Sequence, residues 1–356
     1  MASNELPKTT SQYVLKTQKG FESLELEHDV SLPKLGDYDC LVQIQAVSLN
    51  YRDLIIAKGQ YPFPVKTPVI PCSDAAGNVL AVGPKVTEFE VGDKVCTLFN
   101  EKHQAGALTP VAVASGLGGA FDGTLRQYGV FPEHGLVPAP TNLTPTEAGT
   151  LSCAPLTAWN ALYGLESKAL KPGQVVLTQG TGGVSVAAIQ FAKAAGAIVI
   201  ATSSSEEKCK FLKEKLGADI TINYKTHQNW GELAKKHSPD GEGVDHVIEI
   251  GGPSTMEQSM KAIKMEGVIT VIGFVGGPGA EKQPSTLDTL TYTCTVRGIL
   301  VGSRLQFKAM NRAIDAANIH PVVDKTFEFE KAQEAYQYQW DQRHIGKVVI
   351  QLGRLQ

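Results

Sequence analysis

Few cysteines, no long apolar run and no excess of either charge mark this sequence of 356 residues, and each scarcity removes a class of protein. The six cysteines, Cys40, Cys72, Cys96, Cys153, Cys209 and Cys294, are scattered without a C-x-x-C pair. That excludes a disulfide framework and a structural zinc ribbon, and fits reduced thiols in a cytosolic compartment. No apolar run is long enough to span a bilayer, and the N-terminal "MASNELPKTTSQ" has neither the order of a signal peptide nor the Arg-rich bias of a transit peptide. A soluble, cytoplasmic protein without a membrane partner is expected. A net charge of -3 offers no basic field for nucleic acid. What is present is an ordinary globular composition, 42% hydrophobic and 19% charged, on a length that implies two domains. Single cores rarely grow beyond ~250 to 300 residues. A small-molecule substrate is the expected partner.

The two halves differ in texture. Up to about residue 155, short alternating runs such as "DCLVQIQAVSLN", "GNVLAVGPKV" and "FEVGDKVCTLF" are broken by Gly and Pro, the pattern of a compact β-rich domain. From Pro172 the pattern changes to apolar runs at Val175–Leu177, Ile198–Ala201, Ile220–Ile222, Val247–Ile250, Val268–Ile272 and Val296–Val301, separated by helix-length amphipathic segments. Six nearly continuous apolar strands alternating with helices predict a doubly wound parallel sheet covered on both faces, and hence an α/β protein. The segment "SEEKCKFLKEKLG" has a Ser cap, two acids in its first turn and Gly217 after its end, as a helix requires. After Val301 the pattern predicts a helix, a strand, a second helix and the closing strand "GKVVIQL", too short for a third domain.

The sharpest local signal is "VVLTQGTGGVSVAAIQFAKAAGA", a strand that runs through Gly180, Gly182, Gly183, Val184 and Ser185 into a helix. Gly180 permits the tight turn, Gly182 lets the backbone approach a pyrophosphate, and the helix N-terminus offers free N–H groups. Ser185 stands where the third glycine of G-x-G-x-x-G is usual. The competing reading is a glycine-rich turn with no ligand. On the second strand, an NAD site usually places an acid ~20 residues after the first glycine. Here the chain reads Thr202, Ser203, Ser204 and Ser205, with Lys208 one turn on. Hydroxyls and an ammonium suit a 2'-phosphate and predict NADP(H). The alternative is that the serines only cap the helix and Lys208 is a solvated surface charge.

The segments "SLNYRDLIIAKGQYP", "VIPCSDAAGNVLAVG", "VGDKV", "LSCAPLTAWNAL", "GTGGVSVAAIQFAKAAGA", "LGADITINY" and "HIGKVVI" lie along nearly the whole length. As a set they resemble the medium-chain dehydrogenase/reductase superfamily, in particular its zinc-free, quinone-oxidoreductase-like branch. The resemblance implies a GroES-like β-rich catalytic domain over residues 1–155 completed by 303–356, and a Rossmann cofactor domain over 156–302. It also implies an active site in the cleft between domains, and a homodimer joined around Thr295–Val301.

Zinc alcohol dehydrogenases of this superfamily carry an early Cys, a Gly-His-Glu and a second Cys at the hinge. The corresponding stretches here read "LNYRD", Cys72-Ser73-Asp74 and Cys153. One ligand of three cannot hold a catalytic zinc, so no metal is expected. A substitute set of Cys153, Asp74 and His103 or Cys96 is the alternative. Without a Lewis acid, negative charge on substrate oxygen needs hydrogen-bond donors. The resemblance points to Asn50 and Tyr61, with Tyr51 and Ser73 as further polar candidates and Asp53 orienting its neighbours or pairing with Arg52. Each tyrosine has a competing reading as a core aromatic. For the cofactor the resemblance implies Thr157 at the nicotinamide face, Tyr224 and Lys208 at the adenosine phosphate, and Gly251 at the ribose. Gly273, Phe274, Leu300 and Val301 fall at the carboxamide edge, and Lys347 at the pyrophosphate. The expected activity is zinc-independent, NADPH-dependent reduction of an activated C=C bond or a quinone. The alternatives are an alcohol dehydrogenase or carbonyl reductase, and a cofactor-binding protein without turnover.

Overall fold

The computed structural model describes residues 6–277 and 283–352, so residues 1–5 of the N-terminal stretch lie outside it. The chain divides into two compact units, residues 1–154 with 303–356, and residues 155–302. Among the described residues no helix is long and apolar enough to cross a membrane.

The first unit is built mostly of strands. These are β1 (Thr9–Leu15), β2 (Leu24–Ser31), β3 (Asp39–Ser48), β4 (Asp74–Val82), β5 (Lys94–Thr97), β6 (Tyr128–Pro132) and β7 (Leu136–Pro138), with helix α1 (Tyr51–Ala57) between β3 and β4. β3 alternates buried and half-buried positions before ending in a fully buried run, and pairs antiparallel with both β4 and β6. Gly118, at φ +67°, lies against Cys72, whose carbonyl oxygen would sit 2.4 Å from any Cβ added there. A glycine is obligatory at that position for both reasons. Cys72 itself holds φ +68°, a region that non-glycine residues rarely occupy.

The second unit holds β8 (Val175–Gln179), helix α2 (Gly183–Ala194), β9 (Ile198–Ser203), helix α3 (Glu206–Glu214), β10 (Ile220–Asn223), β11 (Val244–Glu249), β12 (Ile263–Val271) and β13 (Thr295–Gly298). All six strands are parallel, in the order β10-β9-β8-β11-β12-β13. Leu177, Ile200, Val247 and Ile269 are fully buried at its centre. The strand order runs outward both ways from β8, so this is the doubly wound sheet that the apolar runs predict. Two strands begin earlier than those runs. β11 starts at Val244, where Asp245 accepts the Val175 N–H at 2.7 Å, and β12 starts at Ile263, ahead of the exposed Met265 and Glu266. At the start of α3, Ser205 caps by accepting the Lys208 N–H at 3.3 Å.

The chain then returns to the first unit through helix α4 (Arg304–Ala317), β14 (Val323–Glu328), helix α5 (Ala332–Trp340) and β15 (Lys347–Gln351). Ser303 and Gln306 form a reciprocal capping box at the start of α4. β15 inserts between β14 and β3, giving a seven-stranded sheet in which β15 lies antiparallel beside β3. That insertion carries Lys347 to the residues leading into α1.

Candidate active site

In the first unit, the end of β3, the start of α1 and the start of β15 meet at a buried polar cluster. Asn50 is the residue before α1, and its N–H donates to the Asp53 carboxylate at 2.8 Å, fixing the helix start. Lys347 is 5% exposed, and its ammonium donates to Leu49 O at 2.8 Å, Asn50 Oδ1 at 2.6 Å and Asp74 Oδ2 at 3.3 Å. Asp74 is fully buried and also accepts from Ser48 Oγ and Ser73 Oγ, each at 2.9 Å. A buried ion costs several kcal/mol unless paired and hydrogen-bonded, and these contacts meet that condition.

The cluster fixes the Asn50 amide. An ammonium can only donate, so it selects the amide oxygen and leaves Nδ2 on the other side. Asn50 Nδ2 is buried and has no hydrogen-bond partner. Buried donors are nearly always paired, and among the described residues this one has no acceptor, as a donor open to a ligand oxygen would. Next along α1, Arg52 donates to Leu117 O at 2.8 Å and lies 3.6 Å from Asp53. Its guanidinium covers the rings of Phe99 and Tyr61 at 4.6 and 5.2 Å, and its Nε makes a long 3.5 Å contact to the Tyr61 hydroxyl. In that contact the hydroxyl accepts, which leaves its own proton to donate. Burial pushes the Asp53 carboxyl up to about 6, against the opposing pull of Arg52.

Three of the sequence-derived assignments need correction here. Ser73 is fully buried and gives its proton to Asp74, so it orients that carboxylate rather than facing substrate. Tyr51 lays its ring parallel to Trp340, 6.4 Å away, and packs at the edge of the core. Lys347 has its three protons on three internal acceptors, so it supports Asn50 instead of reaching for a pyrophosphate. Asn50 bonds Lys347 and Tyr61 contacts Arg52, so the structure connects each to this polar network.

The donor chemistry does not fit a zinc ion. The stretch "LNYRD" has no cysteine, Ser73 stands in place of an imidazole, and Cys72 turns its sulfur to the Tyr336 hydroxyl at 3.3 Å. Of the three ligands such a site needs, only Cys153 is present as a cysteine at a matching position. The alternative ligands are engaged elsewhere, Cys96 with Ala148 O at 3.4 Å and His103 with Gly106 O at 3.2 Å. Among the described residues no three His, Cys, Asp or Glu side chains are gathered to hold a metal.

In the second unit the residues assigned to the cofactor gather at the carboxyl ends of the parallel strands, where ligands of doubly wound sheets bind. Gly180 follows β8 at φ +73°, and its N–H bonds Thr202 O at 2.8 Å. A Cβ at Gly180 or Gly182 would meet nothing within 4 Å, so the turn presents bare backbone to an open face. Gly183 and Val184 open α2, whose first N–H groups have no intrahelical acceptor. The Ser185 hydroxyl donates to Gln179 O at 2.6 Å, stitching helix to strand in place of a third glycine. At the end of β9, Ser203 Oγ is buried without a partner, and Ser204 and Lys208 are half-buried beside it in sequence. The Tyr224 N–H bonds Ser203 O at 3.0 Å, bringing the end of β10 to the same place. Gly251 follows β11, Gly273 and the half-exposed Phe274 follow β12, and Leu300 and Val301 follow β13. Val301 O accepts from Asn160 Nδ2 at 2.6 Å. Thr157 is buried on the helix Ala154–Tyr163.

Sequence reasoning missed a second buried network. Glu249, fully buried at the end of β11, accepts from Gln179 Nε2 and Gly252 N at 2.8 and 2.9 Å, and from the Ser259 and Thr255 hydroxyls. Gln179 Oε1 in turn accepts from Ile250 N and Gly251 N at 3.1 and 3.2 Å. Four donors satisfy one carboxylate and tie the Gly180 turn to the Gly251 turn. The signal was an acid inside the apolar run "VIEI".

Comparison with known proteins finds a family model in each part of the chain. The family model for the alcohol dehydrogenase GroES-like domain matches residues 36–141, and that for zinc-binding dehydrogenase matches residues 183–316. A zinc-type alcohol dehydrogenase-like protein of Schizosaccharomyces pombe is 47% identical over 344 residues, covering 96% of this chain and 99% of that protein. A chloroplastic quinone-oxidoreductase of Triphysaria versicolor is 31% identical over 337 residues, covering 92% of this chain and 94% of the other. The crystal structure of an NAD-dependent alcohol dehydrogenase superposes with a TM-score of 0.85 at 32% identity, covering 96% of this chain and all of that one.

Proposed function

Because this chain belongs to the medium-chain dehydrogenase/reductase superfamily, a family of oxidoreductases, we propose that it is a zinc-independent, NADP(H)-dependent reductase of activated C=C bonds or quinones. The observation that carries the reading is the orphaned Nδ2 of Asn50, oriented by a buried ammonium. A cation on the amide oxygen draws electron density from the amide and strengthens its N–H groups as donors. Such a donor suits an enolate or phenolate, in which charge is shared over several atoms. It is a weak match for the localised alkoxide of a simple carbonyl, where a metal ion is the usual support.

When bound, the nicotinamide supplies the hydride. The backbone N–H groups of Gly182, Gly183 and Val184 would hold the pyrophosphate, and Ser203, Ser204 and Lys208 the 2'-phosphate. Tyr224 would line the adenosine, Gly251 the ribose, and Thr157, Gly273, Phe274, Leu300 and Val301 the nicotinamide end. The unpartnered Ser203 hydroxyl supports this reading, as an acceptor oxygen of a phosphate would satisfy it. Asn50 holds the substrate oxygen as charge collects there. Tyr61, whose hydroxyl accepts from Arg52, keeps a proton to donate to the same region. Lys347 and Asp74 touch no reacting atom and act by positioning Asn50.

The similarity to alcohol dehydrogenases favours a second reading, reversible alcohol and carbonyl chemistry with NAD. One experiment separates the two. The purified protein is incubated with NADPH or NADH, a chelator, and a panel of enones, quinones and saturated aldehydes. NADPH oxidation by enones or quinones that survives the chelator supports the proposal. Turnover confined to alcohols and saturated aldehydes, and abolished by the chelator, overturns it.

A further inference from the structure

The first unit contains a pocket of about 500 Å³ that the chemistry above leaves unused. It is lined by Phe63, Pro64, Leu108, Pro110, Val113 and Ala114. The one hydroxyl on the lining, that of Thr109, accepts from Ala112 N at 3.2 Å as a helix cap, so its strongest acceptor role is used internally. The size lies within the range of small-molecule sites. The lining carries no charged side chain and excludes phosphates, carboxylates and sugars as well-fitting occupants. Phe63 at 45% and Leu108 at 37% exposure keep large apolar surface in water, an arrangement that a ligand would relieve.

The pocket is also fastened to the Asn50 region. The Tyr61 and Phe63 rings touch, with centroids 5.4 Å apart, and Tyr61 lies under the Arg52 guanidinium. Arg52 donates to Leu117 O and Lys66 N donates to Gly119 O, both at 2.8 Å, which ties the 61–66 loop to the segment that ends at the lining residue Ala120. A molecule whose polar end is held by Asn50 and Tyr61 therefore finds the apolar pocket next to Tyr61.

Resting on the reductase reading, we infer that this pocket receives an unbranched or weakly branched hydrocarbon substituent of the substrate, so that the preferred enones or quinones carry an apolar tail. Each methylene buried contributes about 0.8 kcal/mol, which is roughly a fourfold gain in kcat/KM per carbon until the pocket is full. The gain falls mainly on KM, because the tail is held equally before and during reaction.

Two measurements test this together. The first is kcat/KM for 1-alken-3-ones of increasing length, from four to ten carbons, in the wild type and in Ala114→Trp and Leu108→Asp. Both positions are exposed, so the variants are expected to fold, which a thermal melt checks. A steep rise with length in the wild type, flattened in both variants, is expected. The second needs no turnover. The neutral fluorophore N-phenyl-1-naphthylamine should bind once per chain, be displaced by the saturated ketone 2-decanone, and bind at least tenfold more weakly to both variants. Probe binding that is unchanged in both variants, or a ten-carbon to four-carbon ratio below about two in an active wild type, overturns the inference. If the probe and ketone behave as expected while no enone is reduced, the pocket stands and the reductase reading falls.

Discussion

Replacing Lys347 by Met separates a structural ion pair from a device that positions Asn50. The variant keeps the length of the side chain and removes its charge, leaving the Asp74 carboxylate buried with only the Ser48 and Ser73 hydroxyls as side-chain partners. Breaking one side of a buried pair costs about 3 to 5 kcal/mol. At roughly 2 to 4 °C per kcal/mol for a unit of this size, calorimetry should show the melting of the first unit fall by about 6 to 20 °C. The Asn50 amide meanwhile loses the group that fixes its orientation. Losing one preorganised donor to a developing oxyanion lowers kcat by about 10² to 10³. The two effects part in the double variant Lys347→Met/Asp74→Asn. Removing the stranded carboxylate should restore most of the stability, whereas kcat should stay low because nothing holds Asn50 Oδ1. NADPH affinity should change little in either protein. Recovery of kcat together with stability in the double variant would show that the pair is only a brace, and the argument from Asn50 would fail.

Other expectations follow from the same contacts. Lys208→Ala should reduce a preference for NADPH over NADH by about tenfold to a hundredfold, measured as the ratio of dissociation constants, since a charge-assisted phosphate contact contributes ~1.5 to 3 kcal/mol. A wild type that binds NADH equally well would contradict the reading of the Ser203–Lys208 segment. His246, buried in β11 and held by desolvation down at about 4, costs nothing above its unfolded value of ~6.5 and destabilises increasingly as pH falls towards 4. Asp53, raised to about 6, has the opposite sign: its cost is absent below ~4 and complete above about 6. Each amounts to about 3 kcal/mol, so thermal midpoints between pH 4 and 6.5 should be flat in sum, with His246→Leu unmasking a rise towards acid and Asp53→Asn unmasking a fall. Finally, Leu287 and Leu290, 67% and 72% exposed near the edge strand β13, support a proposal that a second copy covers this edge. Sedimentation should give a dimer that Leu290→Lys weakens, and a monomeric wild type would refute it.

The sheet of the second unit was legible because strands buried on both faces read as continuous apolar runs, and because turn and cap chemistry are local. Gly180, Ser205 and Gly217 act within a few residues of themselves, so a short window contains the whole argument. The polar cluster of the first unit was not legible in that way. Lys347 and Asn50 are 297 positions apart, and only the insertion of β15 beside β3 brings them together. Read alone, the lysine of "GKVVI" looked like a cation for phosphate. Ser73 suits catalysis by residue type, but its hydroxyl is given to Asp74, and the Tyr51 ring packs on Trp340, contacts that no local window shows. Asn50 could be singled out by its position before α1, yet its amide N–H is left unpaired only by the folded chain.

The site of hydride delivery shows whether Asn50 and its lysine support a delocalised anion in place of a metal. The protein is incubated with 4-deuterated NADPH and an α,β-unsaturated ketone, with a saturated aldehyde in parallel, and the products are analysed by NMR. Deuterium is expected on the β-carbon of the saturated ketone, with little turnover of the aldehyde. Deuterium found only on the carbonyl carbon, with the saturated aldehyde reduced as fast as the enone, would contradict it.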